Sequence, residues 1–173
     1  MKSILMLVCV VSVASSSPWA AAQQADESRR LKDEAGKFSF VPPPKWTTRS
    51  FPGAKYQIVH GPPKDGFAPN INVIDEPFGG SMEQYAKASL ATLEKALPEF
   101  KLKEQREFKT KSGLQGVRLV SESAQNKMHL RQTFYLFGRG EKKYVVTCSA
   151  LAEGGADLDK TFEQALKTFQ IED

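Results

Sequence analysis

Apolar positions in this chain recur with two periods, and the period changes mark out the elements. Three β-like runs follow one another in the second half: Gln115–Ser123, Met128–Phe137 and Lys143–Leu151. Only the short breaks Ala124–Lys127 and Gly138–Lys142 separate them, so consecutive runs should pair as antiparallel hairpins. The last run is apolar on both parities, Tyr144, Val146, Cys148 and Ala150 against Val145 and Leu151, as expected of a strand covered on both faces. Earlier in the chain, Phe38–Val41 reads as a short strand ended by Pro42–Pro44, because proline cannot donate to a ladder. Tyr56–His60 and Asn70–Ile74 are two more, with a loop containing Pro62, Pro63, Phe67 and Pro69 between them. Trp46 is large enough that burial gains on the order of 2–3 kcal/mol, which assigns it to one end of the core.

Two stretches carry the helical period. Ser81 and Gln84 form a capping-box pattern, and Met82, Tyr85, Ala86, Leu90, Leu93 and Leu97 follow as one apolar stripe before Pro98. Leu158, Phe162, Ala165, Leu166 and Phe169 form a second stripe, with Asp157 as the expected N-cap. Between the helices, Phe100–Thr110 reads as a lysine-rich edge strand whose shared parity lets Phe100, Leu102 and Phe108 be buried on one face. The order is three strands, helix, four strands, helix. It predicts an α+β domain: an antiparallel β-sheet of about six or seven strands covered by helices on both faces.

The amino terminus sets the compartment. Lys2, an apolar run from Ile4 to Val13 and the small residues Ala20–Ala22 have the layout of a secretory signal peptide, expected over residues 1–22. The run is shorter than the ~20 residues a membrane-spanning helix needs, and Cys9 lies inside it. Residues 23–36 are polar and read as a flexible leader, and residues 37–173 as a single domain. The formal net charge of +4 does not call for a nucleic-acid partner. With Cys9 in the signal, Cys148 has no internal disulfide partner.

These features resemble the PsbP-like and DcrB-like superfamily of exported proteins. The similar residues are Phe38-Ser39-Phe40-Val41-Pro42 with Trp46, the Asn70–Val73 strand before a capped helix, Arg118 a few residues after Gly113, the Tyr144–Cys148 strand and the Phe162…Phe169 helix. Lys45 stands just before the tryptophan, where such proteins often carry glycine. The resemblance implies an α/β/α sandwich, a non-enzymatic accessory or binding role and no inherited catalytic set.

Candidate chemistry is sparse. A thiol nucleophile at Cys148 would need His60 or His129 beside it, and its parity points instead to the core. His60, His129, Asp75 and Glu76 lack metal-ligand spacing, and Gly79-Gly80-Ser81 has no phosphate-loop context. Two docking surfaces are more promising: the basic strand with Lys101, Lys103 and Arg106, and an apolar patch formed by Phe67 and Phe78 on stiff neighbouring loops. The expectation is a monomeric, exported, non-enzymatic protein of the bacterial periplasm or cell envelope that docks a protein partner or small ligand, with no catalytic residues, metal or cofactor. A thiol-based or hydrolytic enzyme and a small-molecule carrier are the alternatives.

Overall fold

A computed structural model describes residues 27–173; the expected signal peptide, residues 1–22, lies outside the described residues. In chain order the strands are β1 (Leu31–Asp33), β2 (Phe38–Phe40), β3 (Thr47–Arg49), β4 (Ile58–His60) and β5 (Asn70–Pro77), followed by helix α1 (Met82–Ala96). Then come β6 (Lys101–Lys109), β7 (Gln115–Gln125), β8 (Met128–Arg139), β9 (Lys142–Leu151), helix α2 (Ala156–Leu166) and β10 (Gln170–Ile171). Seven strands form one antiparallel sheet in the order β3-β4-β5-β9-β8-β7-β6, and β1-β2-β10 form a second, three-stranded one. The fold is therefore α+β, and the hairpins β7–β8–β9 occupy its middle as the hydrophobic pattern requires.

The crossover explains the strand order. After β5 the chain must reach the far edge, β6, four strand spacings or roughly 19 Å away. The 15-residue α1 is about 22 Å long and covers that span, and the chain then returns by hairpins until β9 docks against β5. Alternate residues of β8 enter two different clusters. Phe134 and Leu136 pack with Tyr85 and Ala86 of α1; Tyr135 and Phe137 pack with Phe162 and Leu166 of α2 and with Phe38 of β2. Phe137 stacks on Phe169 at 4.8 Å between ring centroids, and Phe169 stacks in turn on Phe38.

Four expectations need correction. Leu31–Asp33, read as part of a flexible leader, forms β1 against β2, and Arg30 holds it by donating to Ser39 Oγ and to the Thr168 carbonyl. A three-residue strand gives no period to read, although its partner β2 follows within a few residues. β10 is shorter still and lies beyond the last predicted helix, and its partner β2 is in the other half of the chain. Helix α2 begins at Ala156 with Gly155 as N-cap and no side-chain cap bond, so Asp157 is inside it. Finally, β6 is an edge strand, but the register shifts between Leu102 and Glu104. The extra residue reverses the parity, leaving Leu102 39% exposed while Phe108 is buried.

Candidate functional site

The basic strand is not a free positive surface. Lys103 pairs with Glu122 at 2.7 Å, and Arg106 pairs with Glu104 at 2.6 Å and with Glu163 of α2 at 2.7 Å. Lys101 is exposed at the start of the same strand. Arg106 and the buried Arg118 stand opposite each other in the ladder, a like-charge pair made tolerable by Glu104, whose carboxylate accepts from both. The chain continues through Asp159 to Arg131 and Glu122, so four cations meet four carboxylates. Burial works to raise the Glu104 carboxyl, but the Arg118 and Arg106 guanidinium groups outweigh it and hold it below its usual range.

Cys148 is fully buried, and loss of hydration pushes its thiol well above the usual value. His60 pairs in register with Asn70, and Asn70 with Ser149; one residue out of step with Cys148, it lies on the opposite sheet face. His129 is exposed on β8, 3.9 Å from Glu99. The thiol-enzyme alternative needs Cys148 exposed beside a histidine, and neither condition is met. Asp75 and Glu76 serve the scaffold: Tyr56 and Lys142 bond to Asp75 at 2.5 and 3.0 Å, Lys55 also pairs with it, and Glu76 accepts from Tyr85 at 2.6 Å. Among the described residues no group of three metal-binding side chains converges, and Ser81 is engaged as the α1 cap.

Phe67 and Phe78 do not make one patch. They flank opposite ends of the eight-residue β5, roughly 26 Å of strand apart, and Phe78 lies against Tyr85 of α1 at 5.1 Å. Phe67 instead enters a cleft of about 550 Å³ with Trp46, Pro62, Pro63 and Leu158 over the end of β9. Each wall has a local cause. Lys64 and Phe67 exchange both backbone hydrogen bonds around Asp65 and Gly66, both at positive φ, which is the two-residue turn an Asp-Gly pair favours. The sequence signal for this turn is the Asp65-Gly66 pair itself. Gly61 bonds back to Pro69 at 2.7 Å, and a Cβ there would sit 2.7 Å from the Trp46 ring, so any side chain at this position would displace the ring. Trp46 stands edge-on to Phe162 at 5.8 Å, fixed by Pro42–Pro44 before it and by Lys45 at φ 67°. Exposed Asp65, Glu153 and Asp157 border the cleft against one cation, Lys64. An apolar floor with a mostly acidic rim suits an apolar group flanked by positive charge.

No family model matches the chain, and no curated protein matches it. Solved structures do. LpqN, involved in cell envelope biogenesis of Mycobacterium tuberculosis, superposes with a TM-score of 0.60 at 15% identity over 79% of this chain and 83% of its own. Cyanobacterial PsbP from Synechocystis sp. PCC 6803 superposes with a TM-score of 0.58 at 12% identity, covering 82% and 91%. The fold is PsbP-like. Pseudomonas aeruginosa PA94 is similar at a TM-score of 0.57 and 17% identity, over 71% of this chain and 94% of its own. Identities this low speak for the PsbP-like fold alone. Lys45, in the position where the resemblance leads one to expect glycine, has the left-handed backbone that glycine adopts freely.

Proposed function

We propose that this chain is an exported, non-enzymatic accessory protein of the bacterial cell envelope, working as a monomer. The cleft between Trp46 and Phe67 would hold an apolar, positively flanked segment of an envelope protein. Residues 1–22 act as the signal peptide, and residues 37–173 together with β1 make one domain, an α/β/α sandwich. The sandwich reading is supported by the alternation of β8 between the α1 and α2 clusters. The envelope reading draws on the signal pattern and on the likeness to LpqN. No helix among the described residues is long and apolar enough to cross a membrane.

One observation carries the docking reading: half-buried Trp46 and Phe67 face an apolar floor from loops already fixed by prolines and a closed turn. Preset walls lose little entropy on binding, and aromatic anchors in pockets supply most of the energy of such contacts. The test is affinity capture from envelope extract with the wild-type chain and with Trp46→Ala/Phe67→Ala. The wild type should retain an envelope protein that the double variant loses, both remaining folded by circular dichroism. Equal retention by the two would remove the cleft as the docking site.

A further inference from the structure

A second concavity lies on the other side of the same Pro62–Pro63 loop, with a volume of about 570 Å³. Alternation along the chain divides the two. Trp46 goes to the cleft, while Lys45, Thr47 and Arg49 line this basin. Thr47 pairs with His60 and His60 with Asn70, so these three side chains form a polar row on the sheet face opposite Cys148. Phe51, 42% exposed, closes one side, its ring 4.9 Å from that of His60.

The chemistry of the basin is one-sided. Lys45 and Arg49 line it and no acidic residue does; among the described residues neither cation has an ion pair. His60 Nε2 is buried with no hydrogen-bond partner, an arrangement that costs stability. Burial first, and the nearby Arg49 charge second, hold the His60 imidazole below its usual value, so at neutral pH the ring is uncharged and the positive charge of the basin comes from Lys45 and Arg49. Lys45 is also held at φ 67°, a conformation unfavourable for a side-chain-bearing residue. Such strain persists where the surrounding structure imposes it, often at binding sites.

We propose that this basin binds a small organic carboxylate with a flat apolar body. The carboxylate sits between Lys45 and Arg49, and the body rests on Phe51 and Pro62–Pro63 beside the His60 ring. The volume lies within the roughly 300–1,000 Å³ of small-molecule sites, and paired cations beside an apolar wall select an anion that also has apolar surface. The basin is independent of the cleft: its polar lining comes from the opposite face, and the two share only the proline loop.

The test is nuclear magnetic resonance titration of the full chain with benzoate, benzamide and inorganic phosphate as probes. Benzoate should shift the His60 ring and Phe51 signals saturably, with an apparent Kd about tenfold or more below those of benzamide and phosphate. Lys45→Gly/Arg49→Gln should weaken benzoate about tenfold while keeping the melting temperature near that of the wild type, because glycine fits the left-handed position and Arg49 is exposed. Trp46→Ala/Phe67→Ala should leave the benzoate titration unchanged. Equal shifts by benzoate and benzamide, phosphate binding as tight as benzoate, no saturable shift at His60, or an unaffected Lys45→Gly/Arg49→Gln variant would each overturn the proposal.

Discussion

Asp75 shows how one carboxylate ties distant segments together. Burial alone would raise its pKa, but hydrogen bonds from Lys55, Tyr56 and Lys142 bring it down to about 2. A depressed carboxylate stabilises the fold above its unfolded pKa, near 3.9, and that stabilisation is lost as pH falls through about 2. Wild-type stability should therefore drop between about pH 4 and pH 2, by on the order of 2 kcal/mol from this group. Asp75→Asn should be less stable at pH 7 by a similar amount and flatter in that window, as measured by urea melts across pH. The shift runs the other way for Cys148, whose thiol is raised by burial and held protonated and out of reach of solvent. A disulfide reagent should leave the Cys148 peptide unmodified in the native protein and modify it fully in denaturing urea. Rapid native labelling, read by peptide mass, would contradict the buried placement.

Local signals predict an element well wherever it is long enough to show a period, a cap or a turn. The capping box at Ser81 is present in both directions, Ser81 Oγ accepting from the Gln84 N–H and Gln84 Oε1 from the Ser81 N–H. Ser81→Ala should cost about 1 kcal/mol, seen as a lower midpoint in chemical denaturation with an unchanged slope. The hairpins β7–β8–β9 were equally plain, because their turns lie between long alternating runs. The shortest elements are not: β1, β3 and β10 have two or three residues each, too few to show a period, and β10 also pairs with β2 from the far end of the chain. The bulge in β6 was hidden for a related reason. Nothing in Lys101-Leu102-Lys103-Glu104 announces an extra residue, since it is β7, across the ladder, that decides the register.

For the molecule as a whole, charge is organised as a network instead of a patch. The ion pairs that join Lys103, Arg106, Arg118 and Arg131 to Glu122, Glu104, Glu163 and Asp159 link β6, β7 and β8 to α2. Reversing Lys101, Lys103 and Arg106 to glutamate turns exposed attractions into repulsions, each worth up to about 1 kcal/mol. The melting temperature should fall by several degrees while partner capture through the cleft persists; lost capture with an unchanged melt would restore the basic strand as the docking surface. The sequence by itself determined the α+β class, the central antiparallel hairpins, the capped helix and the core position of Cys148, because periodicity, caps and turn chemistry are local properties. Tertiary structure alone decided that the basic strand is neutralised, that Phe67 and Phe78 lie apart, and that Trp46 and Lys45 open onto different sides of one proline loop. Those facts depend on which residues, remote in the chain, meet across the sheet, and no period along the chain encodes that meeting.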